Sequence, residues 1–222
     1  LIVDVFGADH IDSYPDVLLA LDALGTPTNH IKVVIHQFVT LKKDNQIVKM
    51  STRKANFVTL DELIEKLNSD VIRYFFIMRG TNTHLDFDLD LAMDESEKNP
   101  VYYLQYAHAR ISNLLKRFNK EIKGKSKTNL SLLKEDDEIA LIKKLSDFPT
   151  KMNQVYKSLE PKQLATYLED LAAHYHKFYG NHKVINQNNI DLSSARIKLC
   201  EATQIILKTG LSILGIQAPE KM

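Results

Sequence analysis

Apolar positions change period along the chain, and that change divides it. Leu1–Phe6 is an apolar run that ends in Gly7, the pattern of a strand buried on both faces of a parallel sheet. Val17, Leu18, Leu21 and Leu24 then recur at helical spacing over Tyr14–Leu24, and the pattern stops at Gly25 with Pro27 just beyond. Ile31–Leu41, rich in β-branched residues, predicts a second strand. Together these make a βαβ unit, the building block of a doubly wound sheet. Two strands do not make a stable sheet of that kind. The remaining strands are expected N-terminal to Leu1, and the chain reads as the C-terminal piece of a longer protein.

From Thr59 onward the period is helical. Thr59 is predicted to cap a helix beginning at Leu60, with Glu62 completing a capping box and Leu60, Leu63, Ile64 and Leu67 as its apolar stripe. Asp70 is predicted to cap a helix over Val71–Met78 that buries Ile72, Phe75 and Phe76. Thr83–Leu91 alternates, which predicts a half-exposed strand with Leu85, Phe87, Leu89 and Leu91 on one face and the acidic positions toward water. Pro100 suits the first turn of a long helix to about Phe118. After a lysine-rich loop at Gly124–Asn129, helices are expected over Glu135–Leu159, Pro161–Tyr179 and Ser193–Leu214. The fold class is therefore α/β plus all-α: part of a Rossmann-like sheet, a connector, then a helical bundle, with a boundary near Lys98–Pro100.

Composition removes several alternatives. With 222 residues, 44% hydrophobic and 26% charged, the chain is not disordered, and no stretch approaches the ~18–20 apolar residues that a membrane span needs. Cys200 is the single cysteine, so neither a disulfide framework nor a cysteine zinc site is available, and a reducing cytoplasm is the expected setting. Seven glycines, against the roughly 15 expected at average usage, favour helices over tight turns. The net charge of +1 hides an asymmetry: residues 1–100 hold 10 Lys+Arg against 16 Asp+Glu, residues 101–222 hold 19 against 12. A basic C-terminal half fits contact with a polyanion; it equally fits a solvated lysine-rich helical surface.

Three places carry possible chemistry. Lys49-Met50-Ser51-Thr52-Arg53-Lys54 follows the second predicted strand, at the carboxyl end of the sheet where ligands bind in this architecture. Three cations and two hydroxyls there make a flexible anion clamp, or an ordinary basic turn. Gly7-Ala8-Asp9-His10 ends the first strand: glycine admits a ligand to the backbone, a carboxylate there can hold ribose hydroxyls or a cation, and the imidazole can hydrogen-bond a polar ligand. The same residues also suit a capping arrangement. His36 and Gln37 lie inside the second predicted strand, where polar side chains are unusual; His36 reads either as a ligand contact or as a satisfied core histidine.

Lys49-Met50-Ser51-Thr52-Arg53 resembles the KMSKS signature of class I aminoacyl-tRNA synthetases. Its continuation, Asn56-Phe57-Val58-Thr59-Leu60 and Arg73-Tyr74-Phe75-Phe76, resembles the arginyl-tRNA synthetases in particular. So do His84–Leu91, Asn99–Arg110 (Asn-Pro-Val-Tyr-Tyr-Leu-Gln-Tyr-Ala-His-Ala-Arg) and the ending Gly215–Met222. The resemblance covers essentially the whole chain. It implies activation of L-arginine by ATP, with Mg²⁺ assisting, to arginyl-adenylate, and transfer of the arginyl group to tRNA(Arg), by a protein taken to act as a monomer.

By the same resemblance, residues 1–57 are the C-terminal part of the catalytic domain, 58–98 the stem-contact region and 99–222 the anticodon-binding domain. Lys49, Ser51 and Arg53 are implied as catalytic groups closing over the ATP phosphates. Gly7, Asp9, His10, His36, Val48 and Met50 are implied around ATP and the adenylate. Tyr102, Gln105, Tyr106, His108, Arg110 and Met222 are implied at the anticodon, where unpaired bases are held by stacking and edge hydrogen bonds; a tyrosine of this set packed in the bundle core is the plainer alternative. Two departures stand out. Thr52 occupies the place of the second KMSKS lysine, and no His-Ile-Gly-His-like segment occurs in the chain, so the 222 residues by themselves are expected to be inactive. A non-catalytic tRNA-binding module is the competing reading, and another class I synthetase such as the cysteinyl enzyme is disfavoured by the tyrosine-rich Tyr102–Arg110 stretch and by the ending.

Overall fold

The computed structural model describes residues 1–48, 58–122 and 128–222. Strands β1 (Ile2–Gly7) and β2 (Ile31–His36) pair in parallel, Ile2 opposite Ile31 through Gly7 opposite His36, and helix α1 (Tyr14–Ala23) crosses between them. The predicted βαβ unit is present. Its second strand is not continuous to Leu41, however: it breaks at Gln37-Phe38, where the Gln37 amide donates to the Thr81 carbonyl at 2.9 Å instead of continuing the ladder. Beyond the break, β3 (Val39–Lys43) joins a different sheet, in the order β4-β3-β5, antiparallel to β4 (Gln46–Ile47) and parallel to β5 (Leu85–Asp88). Asp44 and Asn45 supply the left-handed turn of the hairpin, with φ of 50° and 58°. The two-sided burial expected of β1 is not seen in this chain, where Val5 stays 65% exposed.

The connector refines three expectations. Helix α2 (Leu60–Lys66) is capped by Thr59, whose hydroxyl accepts from the Glu62 amide at 3.1 Å. Its inward face is Leu63, with Leu67 just past its end, while Leu60 and Ile64 stay exposed. Helix α3 (Ser69–Ile77) is capped by Asn68 rather than Asp70, because Asp70 is buried and committed elsewhere. The alternating acidic stretch is a strand only over β5. Asp88 then accepts from the amides of Asp90 and Leu91 and starts helix α4 (Leu89–Met93), so a local cap overrides the period-two pattern.

The remaining helices form the bundle: α5 (Pro100–Glu121), α6 (Asp136–Ser146), α7 (Phe148–Ser158), α8 (Lys162–Asn181) and α9 (Ile190–Ile213). The single helix expected over Glu135–Leu159 is two, because Pro149 has no N–H to bond the preceding turn. Leu104, Ile111, Leu141, Leu164, Leu168, Leu171, Leu207 and Leu211 fill the bundle centre, and one continuous core extends from them to Tyr74, Phe75 and Phe87 of the connector. Gly210 lets α9 approach α8 closely, since a β-carbon there would lie 2.5 Å from Leu168 Cδ2. Cys200 is fully buried in this core and burial pushes its thiol up to about 12. Among the described helices none is long and apolar enough to cross a membrane.

Candidate functional site

Gly7, Asp9, His10 and His36 come together at the carboxyl ends of the parallel pair, as Gly7 lies opposite His36. The Asp9 carboxylate folds back over Gly7, with Oδ1 only 2.5 Å from where a β-carbon would stand, so a side chain here would turn the exposed carboxylate away. His10 packs its ring 5.7 Å from Phe6 and lies within 3.4 Å of the Ser13 hydroxyl. Asp9 and His10 are exposed on the chain's surface, 3.7 Å apart. His36 donates from Nδ1 to the Gln37 carbonyl at 2.8 Å, which leaves Nε2 as its acceptor face. Val48 bonds through its amide to the Leu41 carbonyl, packs against the core and leads out of the second sheet. Lys49, Met50, Ser51 and Arg53 lie outside the described residues.

The second site is built on α5. Tyr106 and Arg110, one turn apart, interact directly: Arg110 Nη1 donates to the Tyr106 hydroxyl at 3.2 Å. The guanidinium also lies over the ring of Tyr179 from α8, 4.2 Å from its centre, a cation–π contact that holds the planar cation in place. These residues line a cleft of about 260 Å³ with Asn113, Arg117 and Met222. His176 backs the cleft, its ring stacked 6.1 Å from Tyr106 and tilted against Tyr103 at 4.9 Å. Its Nε2 is buried without a partner among the described residues. Burial, with the Arg110 charge beside it, holds the His176 pKa below its ordinary value, so the ring is a neutral support.

Not every member of the predicted set faces this cleft. Gln105 is buried and spends both amide N–H groups inward, on Asp70 Oδ2 at 2.9 Å and on the Gln217 carbonyl at 3.0 Å. His108 is buried too and donates from Nδ1 to the Pro219 carbonyl at 2.8 Å. These two hold the C-terminal tail rather than lining the cleft, and through the tail they bring Met222 to it. Tyr102 is half-buried on α5 and does not line the cleft. Tyr179, Asn113 and Arg117 were missed by the sequence reading. Asn113 and Arg117 extend the row 106, 110, 113, 117 on one helical face and were legible by spacing; Tyr179 reaches the cleft only through the packing of α8 on α5.

A sheet edge bearing Gly7, Asp9, His10 and His36, followed by an aromatic, cationic cleft on a helical bundle, is the arrangement of a class I aminoacyl-tRNA synthetase joined to an anticodon-binding domain. Residues 5–119 match the model of the class I (M) tRNA synthetases and residues 104–222 that of the DALR anticodon binding domain. The chain therefore belongs to the class I tRNA synthetases and to the DALR anticodon-binding family, and over its whole length it is similar to arginine--tRNA ligases. It is 50% identical to an arginine--tRNA ligase of Salinibacter ruber and 44% identical to one of Thermotoga petrophila, over its whole length in each case. It spans only about 40% of the length of those relatives. Among solved structures it superposes on one from Campylobacter jejuni, provisionally assigned as an arginyl-tRNA synthetase, with a TM-score of 0.84 and 29% identity. That superposition covers 99% of this chain and 47% of the other. The arginyl-tRNA synthetase of Thermus thermophilus shares the fold, with a TM-score of 0.79 at 24% identity, over 99% of this chain and 41% of that one.

Proposed function

We propose that the full-length protein containing this chain activates L-arginine with ATP and transfers it to tRNA(Arg). The observation that carries this is the α5–α8 cleft, where Tyr106, Arg110 and Tyr179 offer ring faces and a fixed planar cation beside Met222. Such a cleft suits an unpaired base, which stacks on aromatic or guanidinium planes and presents its edges for hydrogen bonding. The first chemical step is an in-line attack of the arginine carboxylate on the α-phosphate of ATP: the carboxylate–phosphate bond of arginyl-adenylate forms as the α–β phosphoanhydride bond breaks and pyrophosphate leaves, with Mg²⁺ entering on the substrate's phosphates. The protein's part is positioning and charge neutralisation. Lys49, with Ser51 and Arg53, closes on the phosphates. Gly7 gives the backbone access that Asp9, His10 and His36 surround, and Val48 and Met50 border the adenine.

We divide the chain into catalytic residues 1–57, a stem-contact region 58–98 and an anticodon-binding domain 99–222, working as a monomer in the cytoplasm. The exposed apolar side chains of β1 and α1 are accounted for if the larger catalytic sheet of the full-length protein covers them. Charging assays on the full-length protein test the reading. Esterification of tRNA(Arg) with arginine and not with cysteine is expected, and the 222-residue chain alone is expected to charge nothing. Charging by the isolated chain, or a preference for another amino acid, would overturn it.

A further inference from the structure

A groove of about 660 Å³ lies where the connector meets the bundle, between the turn at Gly80–Thr83 and the helices α6, α7 and α8. Three lysines line it, Lys144, Lys151 and Lys162, with two carboxylates, Glu160 and Asp170. Asp170 is paired with a cation, Glu160 has a neutral partner, and the lining holds one lysine more than it has carboxylates. Lys144 bonds Asp170, His174 lies 3.2 Å from the same carboxylate, and Glu160 accepts from the Thr81 hydroxyl at 2.6 Å. Among the described residues Lys151 bonds the neutral side-chain oxygen of Gln154, at 2.8 Å, and no carboxylate. Lys162 adds a second flexible cation to the lining. The one aromatic lining residue, Tyr167, offers no free face: Lys144 sits over its ring at 5.0 Å, and its hydroxyl donates to the Lys144 carbonyl at 2.8 Å. A groove with mobile point charges and no stacking surface reads phosphates rather than bases.

Its place along the fold narrows the ligand. Tyr167 and Tyr179 are twelve residues apart on α8, about 18 Å along the helix axis, which is about five base-pair rises of a duplex. The groove lies at the connector end of α8 and the base-binding cleft at the other. The same turn reaches the catalytic sheet, since Thr81 accepts from the Gln37 amide through its carbonyl. We infer that Lys151 and Lys162 form a second RNA site, gripping the phosphodiester backbone of a base-paired stem that runs from the base-binding cleft toward the catalytic sheet. The site rests on the tRNA reading above and adds to it a contact that is independent of the anticodon bases.

The test uses the full-length protein carrying Lys151→Glu and Lys162→Glu together, with Lys151→Gln and Lys162→Gln as the milder pair should reversal impair folding. Two probes are compared by equilibrium binding across a salt series: a complete tRNA(Arg) transcript, and an anticodon loop closed by only two base pairs. Affinity for the transcript is expected to fall at least ten-fold at low salt, and its salt slope to flatten by between one and two, while binding of the short hairpin is unchanged. Unchanged binding of the transcript, or equal loss on both probes, would overturn the groove. Tyr106→Ala serves as the control. If it weakens both probes while the lysine pair changes neither, the groove fails and the tRNA reading stands. If it weakens neither, the reading fails, and the groove with it.

Discussion

Asp70, at the start of α3, accepts at 2.9 Å from the side-chain amide of Gln105 in α5, thirty-five positions later. The same carboxylate oxygen accepts from the Gln217 amide at 3.2 Å, and Gln105 also donates to the Gln217 carbonyl. A connector helix, a bundle helix and the C-terminal tail are thus tied by one buried knot. Gln105→Ala would leave a buried carboxylate with only the Gln217 amide. Loss of a hydrogen bond to a charged group costs about 1.5–3 kcal/mol, so the bundle should unfold at a correspondingly lower denaturant concentration. RNA binding should weaken too, because the loosened tail carries Met222. A variant as stable as the parent would show that the knot is dispensable.

Tyr106 tests the cleft directly. Its hydroxyl is held by Arg110 and its ring is backed by His176, so the ring is already ordered before a base arrives. Tyr106→Ala should weaken binding of an anticodon hairpin by about 1–3 kcal/mol with little change in melting temperature. The reverse pattern, unchanged affinity and a lowered melting temperature, would make Tyr106 a core residue.

The βαβ unit, the bundle and the Tyr106–Arg110 row were legible because each rests on local periodicity. What was not legible depended on partners distant in the chain. Gln105 and Tyr106 are neighbours with equally polar tips, and nothing local says that Gln105 turns in to meet Asp70 while Tyr106 lines the cleft. Asp70 looked like a cap because Ser69-Asp70 precedes an apolar run, yet Asn68 caps and Asp70 serves the knot. Leu41 looked like the end of the second strand because β2 and β3 are both β-branched, and only the Gln37–Thr81 bond shows where one sheet ends.

His176 adds a pH dependence. Burial and the Arg110 charge lower its pKa from 6.5, against a weaker opposing influence from Glu97. The unfolded chain therefore takes up this proton first as pH falls, and the stability the neutral ring contributes is complete above about 6.5 and lost progressively as pH drops through the lowered native value. Asp137, held down to about 2 by hydrogen bonds from Asn181 and Lys177, loses its contribution only between 3.8 and about 2. The His176 window opens near 6.5, well above the 3.8 at which that of Asp137 opens. Melting temperature measured against pH should decline below about 6.5 in the parent, and His176→Phe should flatten that upper limb while leaving the more acidic one.

Lys49 distinguishes a phosphate role from general RNA attraction. In the full-length protein, Lys49→Ala should slow ATP–pyrophosphate exchange far more than it weakens tRNA binding, because the charge it supplies matters most as the α-phosphate is attacked. Equal losses in both measurements would remove it from the phosphate site.

Gly215 decides how the tail reaches the cleft. Helix α9 ends with Gly215 at φ +71°, and the Ile216 amide closes the turn on the Leu211 carbonyl at 2.9 Å, which reverses the chain toward α5. A β-carbon at this position would also lie 3.1–3.2 Å from the Arg73 side chain. Gly215→Ala therefore combines a left-handed backbone strain of about 1 kcal/mol with a displaced Arg73, and it shifts the path of every residue that follows. If the tail acts on RNA by delivering Met222, Gly215→Ala should weaken hairpin binding in the parent but add nothing in a Met222→Ala background. That non-additivity is what a shared path predicts. Additive losses would mean that the turn supports the bundle alone, and that Met222 reaches the cleft without it.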